Sequence, residues 1–156
     1  MKKLVNGLLG LLVFVSANLM AEPQEIYWED LVPKGYEAPE AQVNHDNVTG
    51  QQYLDAPVVS ELNNQEVKIP GFIVPLEGDE TMTTEFLLVP YFGACIHVPP
   101  PPPNQIIHVK FPAGLPINSL YDPIWVTGTL HTESWQGEIA TVGYQMEAVS
   151  TAPFDG

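Results

Sequence analysis

Residues 91–105 read YFGACIHVPPPPPNQ and contain the residue types best suited to chemistry in this chain. Cys95 is the only cysteine among 156 residues, and His97 follows two positions later, just before five consecutive prolines. Thiolate and imidazole together suit zinc or copper. A thiolate beside a cationic group can also act as a nucleophile. The segment therefore supports two chemical hypotheses, a transition-metal site and a reactive thiol.

A hairpin centred on the prolines would add a third group, His108. Residues two apart in a strand face the same way, so Cys95 and His97 would share one face. We take a register that pairs Val98 with Ile107. It places His97 opposite His108, with their Cβ atoms about 5 Å apart. The predicted metal ligands are therefore Cys95, His97 and His108, and a slip of one residue would separate them.

Zinc usually takes four ligands, so this group needs at least one more donor. His131 and Glu133 are candidates because they share the polar face of a later predicted strand. His45 and Asp46, in a polar segment nearer the N-terminus, form another candidate pair. Water is a further option, so the ligand set stays open at this point.

Two hypotheses need no metal. In one, Cys95 is structural, and the proline run with its surrounding aromatic residues forms a protein-interaction surface. In the other, Lys110 or His97 lowers the pKa of the Cys95 thiol, and the chain is a thiol-dependent enzyme. The sequence has no second cysteine for a redox pair, no phosphate-binding loop, no serine elbow and no His-Glu-x-x-His motif. We therefore expect a binding protein and not an enzyme.

Residues 1–21 have the layout of a secretory signal peptide. Two lysines precede an apolar run at residues 8–15, and Ala21 is the expected last residue before cleavage. The apolar run is shorter than the roughly 20 residues that span a bilayer. No cysteine lies near the cleavage point for lipid attachment. We expect an exported, soluble periplasmic protein with no membrane anchor after cleavage.

The chain is strongly acidic, which narrows its partners. Its formal charge is −14, and loss of the signal peptide leaves three lysines against 19 acidic residues, a charge of −16. Phosphate backbones and anionic lipid surfaces should repel such a chain, so we expect no nucleic-acid partner. Cations and basic proteins remain compatible with this charge.

Alternation of apolar and polar residues predicts β-structure from Glu66 to Val149. The predicted strands cover residues 66–73, 85–91, 94–98, 105–111, 124–133 and 139–149. Gly71 and Gly128 lie inside strands, where a tight barrel requires either coiling of the strand or close approach of the backbone. The pattern also turns Ile107 and Val109 towards the core and His108 and Lys110 away from it.

These elements predict an all-β protein with one domain. We expect a small five-stranded OB-like barrel over residues 65–154, with a small β-sandwich as the alternative. An irregular lead-in with short helical turns, residues 22–64, would precede it. The predicted helical turns lie at residues 25–31 and 57–62.

Three segments carry a resemblance to a known family. They are IPGFIVPLE at 69–77, FLLVPYFGACIHVPPPPPNQ at 86–105 and WVTGTL at 125–130. The chain resembles, over residues 28–154, a bacterial family of small exported proteins labelled as a domain of unknown function. Genes of that family often lie beside transport components linked to zinc supply. The resemblance implies a periplasmic accessory role in zinc handling, with a transporter component as partner, but it identifies neither ligands nor a reaction.

Overall fold

The computed structural model describes residues 22–37, 50–79, 81–95, 100–116 and 121–155. These ranges hold β-strands and short 3-10 helices but no α-helix, and no helix in them is long and apolar enough to cross a membrane. The strands are β1 (Gln24–Glu25), β2 (Gln65–Gly78), β3 (Met82–Val89), β4 (Ile107–Pro116), β5 (Ile124–His131), β6 (Trp135–Gln136), β7 (Thr141–Val142) and β8 (Tyr144–Pro153). The 3-10 helices are η1 (Trp28–Leu31), η2 (Ser60–Leu62) and η3 (Pro103–Gln105).

Five strands close into a barrel in the order β2-β3-β4-β8-β5, with β5 pairing back to β2. All neighbours are antiparallel except β4 and β8, which are parallel. The long β2 closes the barrel because residues 65–71 pair with β5 and residues 72–78 pair with β3. β1 adds a short parallel pairing to β2. The predicted all-β, five-stranded OB-like barrel is confirmed.

The pleat of the strands sorts the apolar residues into two clusters. Inward-facing side chains of the five strands form the barrel core, which includes Val67, Ile73, Phe86, Val109 and Tyr144. Successive residues of a strand point to opposite faces. The neighbours of these residues therefore face outwards, and part of that outer surface is itself apolar.

The second cluster lies on the outside of β2 and β3, and we call it the outer cluster. Its members are Val74, Leu87, Val89, Ala94, Ile106, Ala140 and Val142, with Phe72, Leu76, Cys95 and Trp135 packed against it. The hairpin of β6 and β7 covers this cluster, and its turn is closed by a bond from the Gly137 N–H to the Ala140 carbonyl. The barrel thus carries an additional apolar layer that the hairpin shields from water.

The lead-in packs against the barrel through buried hydrogen bonds. The Tyr144 hydroxyl donates to the Leu31 carbonyl at 2.8 Å and accepts from the Val59 N–H at 2.7 Å. The Trp28 indole N–H donates to the Pro70 carbonyl at 2.7 Å. These bonds join η1 and the residues before η2 to strands far away in sequence, so the lead-in is part of the folded unit.

Two strand predictions need correction. Residues 94–98 were predicted as a strand, but Ala94 makes only an isolated bridge, Cys95 has a left-handed backbone, and residues 96–99 are outside the described ranges. Residues 139–149 were predicted as one strand, but the chain breaks into β7 and β8 at Gly143. The Gly143 N–H bonds the Pro103 carbonyl there at 2.7 Å, which moves the chain from the outer cluster to the barrel core.

Candidate functional site

The predicted hairpin between the cysteine segment and β4 is wrong. β4 pairs with β3, so that His108 lies opposite Leu87 and Lys110 lies opposite Glu85. The sequence pattern fixed the faces of β4 correctly but could not choose between two apolar partner segments. His97 is outside the described residues, as are His45 and Asp46. Cys95 and His97 as ligands therefore stay a prediction.

Cys95 lies in a tight turn beside the outer cluster. Its φ of 64° is in the left-handed region, where a side chain with a Cβ is disfavoured. The thiol is free and half-buried, and burial raises its pKa to about 11. The metal-free Cys95 is therefore protonated at neutral pH, which is unlike the reactive thiolate of a cysteine enzyme.

His108 is the predicted ligand with the most developed surroundings. Its side chain is 1% exposed, and its Nε2 lies 2.5 Å from the Glu85 Oε1. Because an ionised carboxylate only accepts hydrogen bonds, Nε2 carries the hydrogen and donates it. The Glu85 carboxylate comes from β3, two residues before Leu87 on the same outer face. It fixes both the orientation and the tautomer of the imidazole.

The other ring nitrogen of His108 has no partner. Nδ1 is the one buried side-chain nitrogen or oxygen among the described residues without a hydrogen-bond partner. The ring also stacks face to face on Trp135 of β6, with centroids 4.0 Å apart and planes 3° from parallel. Burying a polar atom without a hydrogen-bond partner costs free energy, so a bound ligand or a hydrogen-bond donor at Nδ1 would stabilise this arrangement.

His108 lines a cavity of about 200 Å³ on the outer face of β4, β8 and β5. We call it the outer-face cavity, and its walls are His108, Lys110, His131, Glu133, Gln145, Met146 and Glu147. Two imidazoles and two carboxylates face a single lysine there. This set of side chains favours a cation over an anion.

In the described ranges, no three His, Cys, Asp or Glu side chains stand close enough to hold a metal ion. The structure therefore does not bring Cys95 into one ligand group with His108. Both border the outer cluster, Cys95 directly and His108 through Trp135. Any metal site around His108 requires side-chain rotation.

The sequence and the fold of the chain are both similar to those of known proteins. The family model described as "Protein of unknown function (DUF3299)" matches residues 28–153. The chain belongs to the DUF3299 family. The crystal structure of a DUF3299 family protein from Pseudomonas aeruginosa PAO1 is similar, with 46% sequence identity and a TM-score of 0.79. The match covers 87% of this chain and 99% of that one. No curated protein matches the chain.

The proline run of this DUF3299 chain is packed into the fold where the structure describes it. Pro101 and Pro103 are buried. The Pro101 carbonyl accepts a bond from the Gln51 side chain, which also bonds both backbone groups of Thr141. These two prolines therefore help to connect the lead-in to the β6–β7 hairpin, while Pro100 and Pro102 are partly exposed.

Sequence reasoning missed Glu85 and Trp135, the two residues that hold His108. Glu85 shares the outer face of β3 with Leu87, so its direction was available from the period-2 pattern. Its proximity to His108 depends on the β3–β4 register. Trp135 carried no local signal, since its stacking depends on how the hairpin folds back over the barrel.

Proposed function

We propose that this DUF3299 protein is an exported, periplasmic accessory protein that binds a transition-metal ion, zinc in the first place. It passes the ion to or from a partner such as a transporter component, and it acts as a binder and not as a catalyst. His108 is the central ligand. The sequence motif adds Cys95 and His97 as candidate ligands, and Cys95→Ser tests the thiol separately.

One observation carries this proposal, the state of the His108 imidazole. In protein metal sites, a ligating histidine usually donates its other ring N–H to a carboxylate, which orients the ring and raises its basicity. His108 has this arrangement, with Nε2 donating to Glu85 and a buried, unpartnered Nδ1. A metal ion would satisfy that nitrogen.

The surroundings of Cys95 and of the prolines weigh against the two alternatives. A thiol enzyme needs a thiolate near neutral pH, and the pKa of Cys95 is raised by burial to about 11. A polyproline interaction module needs accessible prolines, and of the four that the structure describes, Pro101 and Pro103 are buried and Pro100 and Pro102 are only partly exposed. Metal binding would itself displace the thiol proton, so it is compatible with a raised pKa.

Zinc titration of the exported, chelator-treated protein tests the proposal. The experiment compares the wild type with His108→Gln, using competition against a chromophoric chelator for affinity and elemental analysis for stoichiometry. We expect about one zinc per chain in the wild type, and binding at least about tenfold weaker in the variant. A circular dichroism spectrum and an unfolding midpoint for each protein establish that both are folded.

Absence of zinc and copper binding by folded wild-type protein would overturn the proposal. Equal affinity of wild type and His108→Gln would leave metal binding standing but remove His108 from it. Addition of Cys95→Ser to the same series tests the ligand that the motif predicts.

A further inference from the structure

We infer that the metal ion binds in the outer-face cavity between His108 and His131, with Glu147 as the third protein ligand. This inference rests on the proposed function and gives it a ligand set on the surface of the barrel. It differs from the motif prediction because it uses three barrel strands and does not need Cys95.

The orientation of His108 directs its free nitrogen towards this cavity. β3 and β8 lie on opposite sides of β4. Nε2 reaches Glu85 on β3. The two nitrogens of an imidazole lie on opposite sides of the axis through its Cβ, so Nδ1 is turned towards β8. The other walls of the cavity belong to β8, β5 and the residues just after β5.

The sheet register aligns the second histidine with the first. His108 pairs with Gln145 of β8, and Gln145 pairs with His131 of β5. Paired residues project from the same face, so both imidazoles stand on the outer surface with one residue between them. Two inter-strand spacings separate their Cα atoms by about 10 Å. Two histidine side chains can converge on one ion across that distance.

Glu147 completes a triangle with these histidines. It is two residues beyond Gln145 on β8, and it pairs with Lys110 on one side and Thr129 on the other. It is therefore the diagonal neighbour of both histidines, at about 7–8 Å between Cα atoms. Glu133 also lines the cavity, but it follows the end of β5 and lies outside this register.

Formation of the site requires His131 and Glu147 to rotate and the buried Nδ1 of His108 to become accessible. His131 is partly exposed and Glu147 is exposed, and no hydrogen bond or ion pair engages either side chain in the described part of the chain. His108 is already held by Glu85 and Trp135. The arrangement thus combines one fixed ligand with two movable ligands, and no three such side chains are already grouped in the described ranges.

Two imidazoles and one carboxylate suit a zinc ion that is bound and later passed to a partner. Two imidazoles and one carboxylate are the protein ligands of several zinc sites that keep a fourth position open. An open position on the outer face would be accessible to a donor atom of a partner protein. Copper is a competing ion, since imidazole binds it well.

The test measures zinc affinity in a panel of single variants of the exported protein. His131→Gln and Glu147→Gln remove the two movable ligands, Cys95→Ser removes the motif ligand, and Glu138→Gln changes an exposed carboxylate outside the cavity. We expect His131→Gln and Glu147→Gln to weaken zinc at least about tenfold, with Cys95→Ser and Glu138→Gln close to wild type. A cobalt-loaded sample adds a spectroscopic readout, because a thiolate ligand gives a charge-transfer band that histidine and carboxylate do not.

The outcomes separate this inference from the proposed function. Zinc binding that is lost in Cys95→Ser and kept in His131→Gln, with a thiolate band for cobalt, would overturn the inference and leave the proposed function standing on the motif ligands. Sensitivity of affinity to Glu138→Gln equal to that for Glu147→Gln would also overturn it, since the effect would then be general charge. If the folded wild type bound neither zinc nor copper, both this inference and the proposed function would be contradicted.

Discussion

At the scale of single residues, His108 has the most unusual surroundings among the described side chains. A carboxylate holds one nitrogen, an indole covers the ring face, and the other nitrogen is buried without a partner. Buried polar side chains in folded proteins are almost always paired. This exception is the observation on which the proposed metal site rests.

In the proposed metal site, Glu85 would position His108, so its loss should weaken metal binding. Glu85→Ala removes the acceptor that orients the imidazole, and we expect zinc affinity to fall about 10–100-fold. Glu85→Gln keeps an acceptor oxygen without the charge, so its zinc affinity should lie between those of the wild type and Glu85→Ala. Glu77→Gln, the cross-strand neighbour of Glu85 on β2, is the matched control. An equal loss in Glu77→Gln would show that overall charge, and not orientation, sets the affinity.

The Cys95 thiol should react slowly with iodoacetamide at neutral pH in metal-free protein. Burial raises its pKa from 9.0 to about 11, so the alkylation rate should keep rising to about pH 11.

The raised pKa of Cys95 also makes stability depend on pH, because the folded state favours the neutral thiol. The resulting contribution of Cys95 to the free energy of unfolding is fully present below about pH 9 and is lost as the pH rises to about 11. Over this window, the free energy of unfolding of the wild type should fall relative to that of Cys95→Ser. Fast alkylation of Cys95 at pH 7.5 would contradict the burial of the thiol.

At the scale of elements, close strand packing explains where glycine is required. A Cβ on Gly128 would lie 2.3 Å from the Glu147 carbonyl oxygen and 2.7 Å from the Ala148 Cα, so β5 and β8 could not keep their separation. Gly71 faces a similar restriction from Trp28 and Leu88. The sequence predicted strand coiling or close approach at these two glycines, and the structure shows close approach at both.

Gly128→Ala should destabilise the barrel by about 1–3 kcal/mol, the usual cost of overpacking. The neighbouring atoms are backbone and cannot move aside as a flexible side chain would. Urea unfolding measures the effect, with Gly50→Ala as the control because no atom lies within 4 Å of its added Cβ. Equal unfolding free energies for the two variants would contradict the close approach of β5 and β8.

At the scale of the whole molecule, the barrel, the covering hairpin and the lead-in form one interlocked unit. Tyr144 illustrates the connection, since this barrel-core side chain bonds both Leu31 and Val59 of the lead-in. Gln51 and the buried prolines connect the lead-in to the hairpin in the same way. The segment that looked irregular in sequence is thereby held by specific partners.

Tyr144→Phe should lower the unfolding free energy by about 1–3 kcal/mol. The change keeps the aromatic ring in the core but leaves the Leu31 carbonyl and the Val59 N–H without their partner. Proteolysis of the lead-in should become faster in the variant. Tyr121→Phe is the control, because that side chain is 75% exposed. If both variants unfold alike, the lead-in is not held through Tyr144.

The sequence by itself determined that the chain is mainly β, where most of the barrel strands lie, and which residues of β4 face outwards. Period 2 placed Ile107 and Val109 inside and His108 and Lys110 outside, because alternation depends only on the geometry of a single strand. It also indicated the positions of Gly71 and Gly128. These properties are local, so no knowledge of distant partners was needed.

Only the tertiary structure decided which residues surround His108. Glu85 is 23 residues before it, and Trp135 and His131 follow it in later elements. A period-2 pattern specifies a face but not a neighbouring strand, so two apolar segments competed for β4 and the sequence alone favoured the wrong one. The backbone pairing of β3, β4, β8 and β5 resolves that choice, since hydrogen-bond register sets which side chains become neighbours.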